Sequence, residues 1–259
     1  MRDYLASAAW KELADSYHLT LGPPPPDCVR TIPLSRLAEE AACREYVGWL
    51  AVHIGAPDLT VAASMLGKRI GYLLAAPALG AMSYHGQAID FSLESCVLYH
   101  PAVPVAQGGT RFPFLALEGL RAEEQDGDRE IWRERTVSEL FAGRLTPVLK
   151  MLSAAGSVPL AVLWENMMVR IAPLYVPDGT SSEADRLRLA GDFRYLAAEA
   201  SGVPFGVRRN PLAPFAEAAG GNGLAAKSKR LTCCFYYRMS DEFCRKCPKI
   251  DNENESQLK

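Results

Sequence analysis

The sequence has no long hydrophobic run. Its most apolar stretch, residues 70–82, is interrupted by Gly71, Pro77 and Gly80 and falls short of the roughly 20 residues that cross a bilayer, so stable membrane insertion is not expected. The opening Met1-Arg-Asp-Tyr-Leu-Ala-Ser lacks the apolar core of a secretory signal. Neither sign of charge dominates: 28 Lys and Arg stand against 30 Asp and Glu, which argues against a nucleic-acid partner. Histidine is scarce, and His18, His53, His85 and His100 show neither mutual metal spacing nor a finger-type pair. A nucleotide motif is missing too. Gly221-Asn-Gly223-Leu-Ala-Ala226 imitates a dinucleotide fingerprint, and residues 221–228 nearly spell a phosphate loop. Ala226 stands where that loop wants its second glycine, and no strand precedes it within a βαβ unit. The stretch reads as a linker, so any electrons would come from another protein.

Cysteine is the residue that is not scattered. Cys28, Cys43 and Cys96 lie far apart and read as small hydrophobes, but four more fall within fifteen residues: Cys233-Cys234, nine intervening residues, then Cys244-Arg-Lys-Cys247. Cys-x-x-Cys lets two sulfurs reach one metal ion across a short turn. Adjacent cysteines diverge in an extended chain, so both ligate only if the backbone bends or two metals share them. A binuclear [2Fe–2S] cluster offers two metals to four cysteines, which makes it the favoured cofactor. A structural Cys₄ zinc site, a pair of disulfides and a metal-free redox Cys-x-x-Cys remain alternatives. With no export signal, the thiols fit a reducing cytoplasm. Lys227, Lys229, Arg230, Arg238, Arg245, Lys246 and Lys249 gather positive charge around the thiols, as an anionic cluster requires.

The string Arg230-Leu-Thr-Cys233-Cys234-Phe-Tyr-Tyr237, closed by Cys244-Arg-Lys-Cys247-Pro248, resembles the signature of the FhuF-like ferric siderophore reductases. The resemblance is specific over about twenty residues, and Leu163-Trp164-Glu165-Asn166 looks like that family's Leu-Trp-Gly-Asn helix start. The family commonly has ten residues between its cysteine pairs where this chain has nine. A more distant resemblance joins the helical body to the C-terminal part of siderophore synthetases. The resemblance implies a ferric siderophore substrate, one-electron reduction that releases Fe(II), and an external donor such as a ferredoxin or flavin reductase. Cys233, Cys234, Cys244 and Cys247 are the implied ligands, and the flanking Arg230 and Tyr237 read either as hydrogen-bond donors to sulfur or as packing residues. A redox sensor without turnover, or a partner-binding protein stapled by zinc, are the competing functions. Trp164 reads as a core residue or as a wall for the chelate, and Arg208 and Arg209 as an anion-attracting pair or loop dressing.

The remaining pattern is α+β: a predominantly helical body, a small antiparallel sheet and a C-terminal cysteine-rich lobe. Residues 1–206 are read as the body and siderophore-facing scaffold, 207–249 as the cluster-binding segment and 250–259 as a frayed tail. Helices are expected over residues 3–18, from Ser35 to Gly55, and from Asp58 onward, where Ala62, Met65, Leu66 and Leu73 recur on one face. Ile89, Phe91 and Leu93 alternate with polar residues as a strand, expected to pair with residues 111–117 across a turn at Pro101, Gly108 and Gly109. Residues 121–135 read as a charged loop or short surface helix, and Thr136-Val-Ser-Glu139 as a capping box. Pro159 and Ser182 open two further helices.

Overall fold

A computed structural model describes residues 8–102, 110–216 and 229–250. The fold is α+β, with the helices forming the main body. The N-terminal part runs α1 (Ala8–Tyr17), β1 (Leu19–Leu21), β2 (Cys28–Pro33), α2 (Leu34–Leu37), α3 (Glu40–Ile54), α4 (Leu59–Ile70) and α5 (Ala76–His85). There follow β3 (Gln87–Asp90), β4 (Cys96–Pro101), β5 (Phe114–Leu117) and β6 (Arg121–Glu124). The C-terminal half holds α6 (Arg129–Leu140), α7 (Thr146–Gly156), α8 (Leu160–Ile171), α9 (Glu183–Arg194) and the short α10 (Ala213–Ala216). The start of the expected first helix, the Gly108-Gly109 turn, the linker at 221–228 and residues 251–259 lie outside the described residues. Among those described, no single helix is long and apolar enough to cross a membrane.

Local chemistry explains most boundaries. Val47, Leu50, Ala51 and Ile54 form the buried stripe of α3, which ends at Gly55 with φ +73°, a left-handed cap that glycine adopts without steric penalty. Asp58 caps α4 by accepting the Val61 N–H at 3.0 Å. Ser182 and Asp185 form a reciprocal capping box at the start of α9, and Pro159 precedes α8. Two long helices contain a π-turn, Gly71–Ala75 between α4 and α5 and Phe141–Leu145 between α6 and α7. Each is followed at once by a proline near the start of the next helix, Pro77 and Pro147. Proline has no N–H to give the preceding turn, so the helix widens there instead of breaking.

Three expectations are corrected. Ile89 pairs with Ala122 of β6, not with residues 111–117, and β5 pairs with β4. Reciprocal bonds between Ser92 and Ser95 end β3 early and turn the chain away. The charged stretch 121–135 therefore contributes an exposed strand, and then α6. Thr136 does not start a helix: Asp128 caps α6, and the Thr136 hydroxyl donates back to the Trp132 carbonyl at 2.9 Å. The main sheet has the order β1-β5-β4-β2 and is mixed, because β1 runs parallel to β5.

The site depends on how α4 is held. A Cβ built on Gly156 at the end of α7 would lie 2.4 Å from the Ala63 Cβ and 2.8 Å from the Leu59 carbonyl oxygen. That contact brings α7 directly against α4. Gly156→Val is expected to destabilise the protein by about 1–3 kcal/mol through overpacking. Urea unfolding would read this as a lower midpoint at unchanged slope; an unchanged midpoint would contradict the close crossing.

Candidate metal centre

The segment carrying the four cysteines is held by one buried carboxylate. Glu165 lies in α8 with 2 % of its surface exposed. It accepts the backbone N–H of Leu231 at 2.7 Å and of Thr232 at 2.8 Å, as well as the Thr232 hydroxyl. The Arg230 Nε donates to the same carboxylate at 3.3 Å, with both side chains buried. Three consecutive residues are thereby fixed immediately before Cys233. The Arg230 N–H donates to the Lys246 carbonyl at 2.9 Å, tying the entrance of the segment to its closing Cys-x-x-Cys.

Beyond this anchor the backbone bends sharply. Phe235 has φ +63°, a left-handed conformation that disfavours residues with a side chain. Its N–H donates to the Cys233 sulfur at 3.3 Å, and a 3₁₀ turn follows at Tyr236–Arg238. The bend follows directly on the Cys233-Cys234 pair. The Cys234 carbonyl accepts from the buried Ser64 hydroxyl of α4 at 2.9 Å. Asn166 of α8 in turn donates to the Ser64 hydroxyl and carbonyl at 3.0 and 2.9 Å. At the other pair, the Cys247 N–H donates to the Cys244 carbonyl at 2.8 Å and closes the turn.

Cys234 and Cys247 are buried, whereas Cys233 and Cys244 are partly exposed. The Cys234 and Cys244 sulfurs stand 3.7 Å apart, within hydrogen-bonding distance. Hydrogen bonding from Cys244 is the largest influence holding the Cys234 thiol below its usual value; burial opposes it, and Lys68 assists. Cys244 is pushed up for the same reason. Burial raises Cys233, partly offset by the Phe235 N–H. In this conformation no three His, Cys, Asp or Glu side chains among the described residues converge as a metal-holding group. The structure thus brings one thiol pair into contact and sets the other two cysteines on the same anchored segment.

The electrostatics around that pair are one-sided. Lys68 of α4 and Arg170 of α8 lie half-buried within electrostatic reach of Cys234. Burial lowers the Lys68 ammonium; the Cys234 thiolate opposes this, and Arg170 and Arg230 add to it. Both Nη atoms of Arg230 and the Nε of Arg170 are buried without a hydrogen-bond partner among the described residues. Such orphaned donors are rare in folded proteins.

The other expected site residues divide. The Tyr237 hydroxyl is engaged by Lys249 Nζ at 3.0 Å, and its ring stacks on Phe243, so it does not donate to sulfur here. Trp164 is buried against Phe141 and Phe205. Arg208 and Arg209 are exposed. Cys43 and Cys96 are core residues; Cys28 is only partly covered. Glu165 and Asn166 were signalled only by their position in the Leu-Trp-x-Asn segment, which lies inside α8 and not at its start. Ser64, Lys68 and Arg170 had no sequence signal, because α4 and α8 read simply as core helices.

No protein-family model matches the chain, and no curated protein matches it. A solved structure of similar fold is aerobactin synthetase IucC from a hypervirulent pathotype of Klebsiella pneumoniae, with a TM-score of 0.51 and 12 % identity. The match covers 81 % of this chain and 44 % of that one, so this chain corresponds to less than half of the synthetase. At that identity the likeness concerns the fold alone.

Glu165→Ala should destabilise the metal-free protein by about 3–5 kcal/mol, because it strands Arg230 and frees residues 230–232. Equilibrium unfolding, with hydrogen exchange at the Leu231 and Thr232 amides, measures this. A loss below about 1 kcal/mol, the scale of an ordinary hydrogen bond, would show that the carboxylate is not the anchor.

Proposed function

We propose that the chain is a cytoplasmic [2Fe–2S] protein that reduces siderophore-bound ferric iron. The observation that carries a four-thiolate centre is the surplus of positive charge around Cys234, and the FhuF-like signature is what makes that centre a redox one. Arg230, Arg170 and Lys68 are within reach of Cys234, and Glu165 is the carboxylate paired with Arg230. Three cations against one carboxylate leave two positive charges. A [2Fe–2S] centre held by four thiolates carries about −2 when oxidised, which matches both the donor set and the surplus. Soft thiolates also suit such a centre better than they suit a hard cation. The fold shared with a synthetase named for aerobactin supports a chelate-handling role, and the FhuF-like signature supports reduction over synthesis.

Cys233, Cys234, Cys244 and Cys247 would hold the group, which when bound supplies electrons one at a time. The chain's own residues do the rest. Glu165 fixes the approach to Cys233, while Ser64 and Asn166 fix the Cys234 backbone. The unpartnered Nη groups of Arg230, whose charge bears on Cys234, would be available to donate hydrogen bonds to the bound group. The substrate is Fe(III) held by hard oxygen donors. An external electron-donor protein provides one electron per turnover; Fe(III) becomes Fe(II), its affinity for those oxygens falls, and the metal leaves.

Anaerobically purified protein should contain about two irons and two sulfides per chain, with visible bands that bleach with dithionite and return when a ferric siderophore is added. Cys234→Ser and Cys247→Ser should lose most of the iron and the activity. Colourless protein with about one zinc, or full iron content in all four single Cys→Ser variants, would overturn the reading.

A further inference from the structure

Arg170 belongs to a second feature as well. It lines a recess of about 540 Å³ bounded by α1, the π-turn, α5 and α8, within the size range of small-molecule sites. Tyr17, Tyr72 and Tyr84 supply its aromatic lining. The Tyr17 and Tyr72 rings are 5.3 Å apart, and the Arg170 guanidinium lies 5.5 Å from the Tyr72 ring centre. The Tyr72 hydroxyl donates to the Ser16 carbonyl at 2.7 Å and the Tyr84 hydroxyl to the Leu174 carbonyl. With those hydroxyls occupied, the tyrosines contribute chiefly ring faces to the recess. Arg170 adds a buried Nε with no partner among the described residues.

One backbone feature points to an occupant. Gly80 lies inside α5 and lines the recess. A helix-interior glycine is about 1 kcal/mol less favourable than alanine, and here packing does not demand it. A Cβ at Gly80 would meet only the ends of Leu13 and Leu174, at 3.7 and 4.0 Å. The missing side chain leaves room in the recess.

We propose that this recess seats the ferric chelate, a compact hard-oxygen complex of low net charge, with Arg170 donating to one of its ligand oxygens. The inference rests on the reductase reading and gives it a substrate site. Low charge follows from the lining: Glu12 and Asp178 are exposed carboxylates on the same recess, and they oppose a strongly anionic complex. Arg170 also lies within electrostatic reach of Cys234 and Arg230, so the recess and the cysteine segment share a wall residue.

The test uses the redox-inert gallium(III) complex of a neutral tris-hydroxamate, titrated calorimetrically into the anaerobically purified protein. Wild type should bind one equivalent. Gly80→Leu, which fills the recess, should weaken binding by at least about tenfold, whereas Gly80→Ala should stay within about twofold. Circular dichroism and iron and sulfide content are read on the same samples. Equal binding by folded Gly80→Leu and wild type, or no binding by wild type, overturns the recess. Normal iron and sulfide with an unchanged KM for the ferric complex in Gly80→Leu does the same while leaving the reductase standing. Iron-free protein that still binds in a Gly80-dependent way supports the recess and removes the reductase reading.

Discussion

The Glu165 carboxylate is the contact on which the site depends. It reaches from α8 into the cysteine segment and satisfies donors on three consecutive residues, so the chain entering Cys233 has one allowed path. Burying a carboxylate is costly unless it is paired and hydrogen-bonded, and here it is both. From that fixed entrance, the Phe235 bend and the Ser64 contact set the Cys234 backbone. Ser64 is positioned in turn by Asn166, one residue after Glu165. Two neighbouring residues of one helix therefore govern both flanks of the Cys-Cys pair. Their precision depends on α4 and α8 staying in register, which the tight glycine contacts along α4 enforce. Gly67 lies against the Leu163 side chain of α8, and Gly71 at the end of α4 against the Met167 backbone and sulfur of α8.

How much of this was legible in the sequence depends on the range of the signal. Helices with strong periodicity and local caps, such as α3, α4 and α9, could be read because their determinants lie within a few residues. The strand pairing could not. Ile89 and Ala122 meet across more than thirty residues, and the Ser92–Ser95 turn that decides the matter looks like ordinary polar alternation. The π-turns were also hidden, because the widening at Gly71–Ala75 and Phe141–Leu145 leaves the helical periodicity on either side unbroken. Thr136 misled for a related reason: its hydroxyl serves a cap and an interior back-bond equally well, and only Asp128 distinguishes them.

The site divided along the same line. The four cysteines and Arg230 were visible as a cluster in sequence, and the structure sets them on one anchored segment. Their support comes from α4 and α8, more than sixty residues away in sequence for Glu165 and further for Ser64. Residues that act through tertiary contacts carry no local pattern. Glu165 read as part of a core helix, and its role as the anchor appears only once residues 230–232 fold against it. Tyr237 shows the converse: it lies close to the cysteines in sequence, but its hydroxyl serves Lys249.

The distribution of charge constrains what the segment can hold. A buried arginine whose terminal nitrogens lack partners is costly in a finished interior, since each unmade hydrogen bond leaves a desolvated donor. Lys68 and Arg170 increase that cost by adding like charge nearby, and burial already disfavours their charged forms. Ionising Cys234 relieves part of it, although the hydrogen bond from Cys244, more than the cations, holds that thiol below its usual value. One thiolate cannot neutralise the two charges left after Glu165 is paired. A disulfide would remove negative charge and deepen the imbalance. A Cys₄ zinc site and an oxidised [2Fe–2S] centre both supply about two negative charges, so charge selects a four-thiolate centre and not the metal. Arg230 serves either centre: its unpartnered Nη groups belong to a cation within electrostatic reach of Cys234, where positive charge stabilises thiolate whichever metal is held.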